Sequence, residues 1–326
     1  MPGPQPKKPP ATVRESRVPP ELSGQRFDQA LARLFPEYSR SRLTLWIKEG
    51  RVFLDEAAAR PRDSVMGGQR VRLEILEEAL SELEPEALPI DIVYEDQALI
   101  VVNKPAGLVV HPGAGNRAGT LQNALLHHAP ELAQVPRAGL VHRLDKDTSG
   151  LLVVARTLES HARLVVELQA REFEREYLAI TNGVMTGGGS VDAPIKRHPT
   201  DRVRMSVREG GREALTHYRV LKRFRAHTNI SVELETGRTH QIRVHLAHIK
   251  YPLVGDQVYG RRLGPPRNAS PELQATLRAF HRQALHAVRL GLTHPVSGER
   301  VLWEVPPPAD FRQLLAALEA DLDYAR

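Results

Sequence analysis

The chain has 326 residues, enough for about two domains, and its 41% hydrophobic and 26% charged residues are the balance of a soluble protein with a real core. Lysine and arginine number 45 against 39 acidic residues, and the net charge of +6 leans toward a polyanionic partner without requiring one. The absence of cysteine excludes disulfides, thiolate catalysis and cysteine-ligated zinc; no apolar run nears the roughly 18 residues of a membrane span and there is no apolar signal core, so a cytoplasmic protein with no membrane partner is expected.

Residues 1–16 are rich in proline and base and poor in large apolar side chains, so a disordered tail is predicted. Residues 17–75 read as a small α/β module. Phe27, Leu31 and Leu34 recur at helical spacing; a second helix runs through Leu43 and Ile47, with Ser39 or Ser41 as N-cap and Gly50 as its end. Strands are expected at 51–54 and 70–74. Arg40, Arg42, Lys48 and Arg51 gather around the second helix, either as a grip on a phosphate backbone or as an ordinary solvated face. Residues 76–89 turn acidic and contain proline, the signature of a linker.

From residue 90 to 326 runs a larger domain dense in strand signals. Residues 90–94 and 99–103 flank a Glu95-Asp96-Gln97 turn, and 120–128 form a short helix capped by Thr120. Further strands are expected at 151–155, 176–180, 215–221, 230–235, 284–292 and 301–305, with a helix through Leu164 and Leu168. A last helix places Phe311, Leu314, Leu315, Leu318 and Leu322 on one face. Strands that follow one another without regular helices between them predict an α+β fold with a mixed, mainly antiparallel sheet.

Three clusters could carry chemistry. Gly139 to Gly150 crowds His142, Arg143, Asp145, Asp147, Thr148 and Ser149 before a buried strand, a common way to mount a reactive group; either carboxylate could equally cap a turn. Glu235 to His245 places Arg238 at a Gly237 turn, free to meet a carboxylate, with Thr239 capping a helix that carries Ile242, Leu246 and Ile249. His240, His245 and His248 stand five and three residues apart, which does not put them on one helical face, so no metal site is expected. Arg175-Glu176-Tyr177 lies in a strand, where a lone tyrosine is usually packing. The glycine run 111–119 lacks the Gly-Lys-Ser/Thr ending of a phosphate loop.

In order along the chain, Val102-Asn-Lys-Pro105-Ala-Gly107 through His111-Pro-Gly113, His142-Arg-Leu-Asp145 with Thr148-Ser-Gly-Leu151, Arg175-Glu-Tyr177, Gly237-Arg-Thr-His-Gln-Ile-Arg-Val-His245, Pro252 through Asp256 with Tyr259-Gly260, and Gln283-Ala-Leu-His-Ala287 closely resemble the RluA/RluD family of bacterial pseudouridine synthases. Residues 17–75 resemble an S4 RNA-binding domain, through Arg26-Phe-Asp28, Ser39-Arg40 and Ile47 to Val52. The Val-Asn-Gly turn usual after that strand is replaced by Phe53-Leu-Asp-Glu-Ala57, so a reshaped hairpin is expected there. Within the family the likeness is nearest to the branch that acts on the helix 69 stem-loop of 23S rRNA. The resemblance implies a cofactor-free isomerase working on 23S rRNA or the assembling large subunit, expected as a monomer. It implies Asp145 as catalytic carboxylate, Tyr177 as the stacking platform and a candidate for moving a proton, and Arg238 as the arginine paired with Asp145. It also implies Leu285 closing the pocket, Arg143 wedging into the space left by the flipped base, and His142, Thr148 and Ile242 contacting substrate. Two other classes stay open on the residues alone: a non-catalytic RNA-binding or ribosome-assembly factor, and a metal-dependent hydrolase using Asp145, Asp147 and the histidines.

Overall fold

The computed structural model describes residues 11–36, 38, 40–76, 83–113, 116, 118–201, 203–260 and 265–324, and the chain divides into two compact units after Glu82. No helix among the described residues is long and apolar enough to cross a membrane.

In the first unit, β1 (Ala11–Arg17) and α1 (Phe27–Leu34) are followed by α2 (Arg40–Lys48), β2 (Val52–Leu54), β3 (Ala57–Ala58) and β4 (Arg70–Leu76). The four strands form one antiparallel sheet in the order β1-β4-β2-β3. The two helices cover it, with Phe27, Leu31, Leu43 and Trp46 packed on Val52, Val71 and Leu73. The expected disordered tail is corrected for residues 11–16. Strand β1 pairs along its whole length with β4, from Ala11 opposite Leu76 to Arg17 opposite Arg70, and Arg70 bonds Glu15 at 2.7 Å. Its pairing partner lies some 55 residues away in the sequence, beyond the reach of a reading based on local polarity. Residues 1–10 and Ser39, the proposed cap, lie outside the described residues.

The hairpin between β2 and β3 keeps a two-residue turn despite its substitution. Asp55 and Glu56 sit at φ 48° and 62°, the left-handed pair that a type I′ turn demands and that Asn-Gly usually supplies. Aspartate tolerates this region because its short side chain bonds locally: the Asp55 carboxylate accepts from Arg70 N and Gln69 Nε2, each at 2.8 Å.

The second unit contains β5 (Ile92–Glu95), β6 (Leu99–Lys104), α3 (Leu121–His128), β7 (Ser149–Ala155), α4 (Leu158–Gln169), β8 (Glu174–Asn182), β9 (Gly189–Asp192), β10 (Ile195–Arg197), β11 (Met205–Val207), β12 (Leu215–Arg223), β13 (His227–Leu234), α5 (Gln241–His248), α6 (Pro271–Ala279), β14 (Leu285–Thr293), β15 (Arg300–Glu304) and α7 (Ala309–Tyr324). Nine strands form one sheet in the order β5-β6-β7-β14-β8-β13-β12-β9, with β15 also on β14; only β7 and β14 run parallel. The fold is therefore mixed and mainly antiparallel. Strand β6 is buried on both faces: Ile100 and Val102 meet α3 and α5, whereas Leu99 and Val101 meet Leu164 of α4. Thr120 caps α3 in a capping box with Asn123, as its position before the helix predicts.

Residues 83–89, expected as part of a linker, belong to this unit. Leu83 and Ile90 pack on its core, Asn123 Nδ2 donates to Glu84 O at 2.9 Å, and the Glu86 carboxylate accepts Gly119 N at 2.8 Å beside the positive end of α3. Acidic composition reads as solvated spacer until a helix N-terminus is there to receive it. Residues 77–82 lie outside the described residues.

The β7–β14 junction matters because it carries the loop 139–148 into the sheet. Gly150 sits at φ +114° opposite Ala287, and a Cβ there would lie 2.2 Å from the Ala287 carbonyl oxygen. Gly150→Ala is expected to cost about 3 kcal/mol or more, read as a drop in Tm on the order of 10 °C. An unchanged melting curve would mean that the junction is looser than described.

Candidate active site

Loop 139–148, the ends of β8 and β13, the turn before α5 and the start of β14 line a cleft of about 880 Å³, within the range of small-ligand sites. Six arginines (137, 143, 171, 175, 238 and 243) line it against two carboxylates, Asp145 and Glu235. Such a surface favours an anionic ligand.

Asp145 lies in the loop just before β7. Its carbonyl accepts Thr148 N at 3.1 Å, closing a tight turn. Lys104 holds that turn from behind. Its fully buried ammonium donates to the carbonyls of Pro105, Leu108 and Lys146 at 2.8, 2.8 and 2.9 Å, one acceptor for each N–H. Burial pulls the Lys104 pKa down to about 7 against the upward pull of Asp147 and Asp145.

The carboxylate of Asp145, with its side chain 15% exposed, receives Arg243 Nη1 on Oδ2 at 3.0 Å. The rest of that guanidinium is bidentate to Asp256, with Nε to Oδ2 at 2.7 Å and Nη2 to Oδ1 at 2.9 Å. Burial lowers the Arg243 pKa, but hydrogen bonds and charge from Asp256 and Asp145 more than reverse it, so the group titrates above the usual arginine range. Burial raises Asp256, and Arg243 with the Tyr259 and Val258 amides outweighs it, leaving that carboxyl below its ordinary value. The result is a carboxylate–guanidinium–carboxylate chain in which one guanidinium serves two carboxylates.

This corrects the expected partner. Arg238 does line the cleft, but its Nε donates to the Glu213 carbonyl at 2.9 Å, and Arg243 holds Asp145. The reason is helical phase. Arg238 stands in the turn, tied through its backbone N–H to Gln241 Oε1 at 2.9 Å, whereas Arg243 lies in the first turn of α5 and points inward toward Asp256. Thr239 is not the helix cap either. His240 holds that position in the left-handed region at φ 57°, without a side-chain cap bond. Of the three histidines weighed for a metal, His245 is used by Thr216 Oγ1 and Ala193 O, both at 2.9 Å.

Tyr177 lies on β8 beside Arg175 and Ala179 on the face toward α3 and α5, opposite Ala287 of β14. Burial raises its pKa, Arg175 opposes and Asp145 adds to the rise, so the phenol keeps its proton at neutral pH. Leu285 and Ile242 are buried walls of the same cleft, and Thr148 is buried at its edge, its hydroxyl accepting Gln283 Nε2 at 3.0 Å. Arg143 is exposed at the mouth near His111. His142 accepts Val153 N on Nε2 at 3.1 Å, which needs its neutral form; burial and then the Arg175 charge lower its pKa to about 3.

His227, 4% exposed, is likewise lowered by burial to about 4, opposed by Asp321. For such bases the unfolded chain binds the proton first, near pH 6.5. Their stabilisation is therefore complete above that pH and is lost as pH falls toward 4. His227 alone contributes a slope of about 1.4 kcal/mol per pH unit in that window. Tm should fall between pH 6.5 and 4, and less steeply in His227→Gln. Identical slopes would remove His227 as a cause.

The RNA-grip residues proposed from the sequence lie in the other unit. Lys48 is exposed, Arg51 bonds Glu49 at 3.1 Å, and the side chains of Arg40 and Arg42 lie outside the described residues. Sequence reasoning missed Asp256, Tyr259 and the roles of His240 and Arg243. The repeated Arg-x-x-x-x-Arg spacing of 238 and 243 was the available signal, and only burial distinguishes the two.

Residues 98–248 match the RNA pseudouridylate synthase family. The chain is 54% identical over 311 residues to the ribosomal large subunit pseudouridine synthase D of Xanthomonas campestris pv. campestris, covering 95% of this chain and 94% of that one. It is 58% identical over 308 residues to the Pseudomonas aeruginosa protein of the same name, covering 94% and 96%. This chain belongs to the RNA pseudouridylate synthase family. It is an RNA pseudouridine synthase, and the fold agrees: the solved structure of human RNA pseudouridylate synthase domain containing 4 superimposes with a TM-score of 0.55 at 27% identity, covering 70% of this chain and 93% of that chain. A pseudouridine synthase must accept one uridine of a polyanionic strand, and the arginine-lined cleft around Asp145 has the charge for it.

Proposed function

We propose that this synthase isomerises uridines of 23S rRNA, in the helix 69 stem-loop, with Asp145 as the reacting carboxylate. The observation that carries this reading is the Asp145–Arg243 pair in a cationic cleft that Tyr177 also lines. The names of its relatives, synthases of the large ribosomal subunit, support the substrate. The reaction breaks the N–C glycosidic bond and re-forms it as C–C with no net oxidation, so its balance calls for a nucleophile or base and no redox partner. The target base leaves its stack at a cost of a few kcal/mol and recovers part of it by stacking on Tyr177. Leu285 closes over it, His142, Thr148 and Ile242 complete the pocket wall, and Arg143 at the mouth wedges into the vacated stack. Residues 17–75 act as an S4-like RNA-binding module through Arg40, Arg42, Lys48 and Arg51, and the enzyme works as a cytoplasmic monomer on rRNA or the assembling subunit.

The test is to incubate the EDTA-treated protein with unmodified 23S rRNA transcript and map pseudouridine. Modification within helix 69 supports the reading, modification elsewhere removes the helix 69 assignment, and none at all removes 23S rRNA as the substrate.

A further inference from the structure

Arg243 holds only one oxygen of Asp145. The other, Oδ1, faces Nε2 of His240 at 3.9 Å, and the His240 side chain is 16% exposed. On its far side His240 Nδ1 lies 2.8 Å from the hydroxyl of Tyr259, whose ring meets the imidazole edge-on at 5.6 Å. That hydroxyl oxygen already accepts the backbone N–H of Met205 at 2.7 Å. One lone pair of that hydroxyl is taken by an amide that can only donate, and its own proton is free to be given to Nδ1. His240 then carries its proton on Nε2, toward Asp145. Burial lowers the His240 pKa, with Asp145 opposing, which agrees with a neutral ring.

The two side chains that reach Asp145, His240 and Arg243 at the start of α5, are both braced by one turn, residues 256–259. Asp256 Oδ1 caps that turn by accepting Val258 N and Tyr259 N at 2.9 and 3.0 Å, and the Arg243 guanidinium lies 5.1 Å from the centre of the Tyr259 ring. The turn therefore braces two side chains aimed at the two oxygens of one carboxylate, Nη1 of Arg243 at Oδ2 and Nε2 of His240 toward Oδ1.

We infer that His240, its tautomer set by Tyr259, is a positioning residue that stops the Asp145 carboxylate from rotating about its Cβ–Cγ bond. This rests on Asp145 being the reacting group. A carboxylate held through one oxygen can pivot; held through both, it keeps its remaining lone pairs directed into the cleft. The 3.9 Å separation closes to a hydrogen bond with about 1 Å of movement, as catalytic contacts commonly tighten when substrate enters. Geometry of this kind acts on the chemical step and not on RNA affinity.

The test compares single-turnover pseudouridine formation on 23S rRNA transcript by wild type, His240→Phe, His240→Gln and Tyr259→Phe, with melting temperature and RNA affinity measured alongside. His240→Phe keeps the ring and removes the donor. Its kcat is expected to fall by about tenfold to hundredfold, the usual scale for a residue that orients a reacting group, with KM within about threefold. His240→Gln, which returns an N–H near Nε2, recovers most of the loss. Tyr259→Phe leaves both His240 and Asp145 in place, frees the tautomer, and shows the same loss in kcat; it carries the test should His240→Phe not fold. Wild-type kcat in a folded His240→Phe, a loss confined to KM, or no recovery with glutamine overturns the inference. Full activity in Asp145→Asn instead removes the reading beneath it, whereas an inactive Asp145→Asn beside fully active His240 variants removes this inference alone.

Discussion

Asp145→Asn is expected to reduce pseudouridine formation by about four orders of magnitude or more, the scale seen when a residue acting as nucleophile is lost. The substitution preserves the size of the side chain and one acceptor oxygen for Arg243, so the change isolates charge and nucleophilicity. Folding should be little affected, because Arg243 keeps its bidentate bonds to Asp256. RNA affinity should hold or rise slightly, since a negative charge leaves a cleft built around arginines. The measurement is single-turnover conversion with bound fraction determined separately. Conversion within tenfold of wild type would falsify the assignment of Asp145.

Arg243→Met carries the largest expected effect on stability. The side chain of Asp256 has no solvent exposure, and Arg243 is its only ion-pair partner among the described residues. Removing one member of a buried pair strands the other charge, at a typical cost of about 3–5 kcal/mol. Tm should drop on the order of 10 °C, and activity with it, since Asp145 loses its tether. Combining Arg243→Met with Asp256→Asn removes both charges, keeps an acceptor for the Val258 and Tyr259 amides, and should recover part of the stability but none of the activity. Arg238→Ala, by contrast, breaks one bond to a carbonyl and should alter stability by about 1 kcal/mol or less. If Arg238→Ala proves the more damaging of the two to folding, the pairing described for Arg243 is wrong.

The sequence by itself determined a good deal. Alternating and continuous apolar runs placed the strands at 99–103, 151–155, 215–221 and 284–292, because side-chain period reports which faces are buried. Thr120 announced its helix through the capping geometry that hydroxyl residues favour. The loop 139–150 stood out for its charged and hydroxyl groups before a buried strand, although its carboxylates read equally well as turn caps. Tyr177 and Leu285 were marked only by the resemblance to a known family; on the residues alone Tyr177 read as strand packing.

What only the tertiary structure decided is which groups meet. Arg238 and Arg243 are alike in composition and five residues apart. The choice between them depends on Asp256, thirteen residues beyond Arg243, folding back under α5. Ion pairing is set by distance and burial across elements, and neither is encoded in local spacing. Strand β1 was invisible for the same reason: its hydrogen bonds come from β4, and the polar sequence of residues 11–17 satisfies them only in that company. The short β10 and β11 strands and the left-handed His240 also owe their conformation to long-range partners, Tyr259 above all, whose hydroxyl receives Met205 N and meets His240 Nδ1. Period and capping are properties of a segment, whereas a charge network belongs to the folded molecule, and the chemistry of this cleft lies in the network.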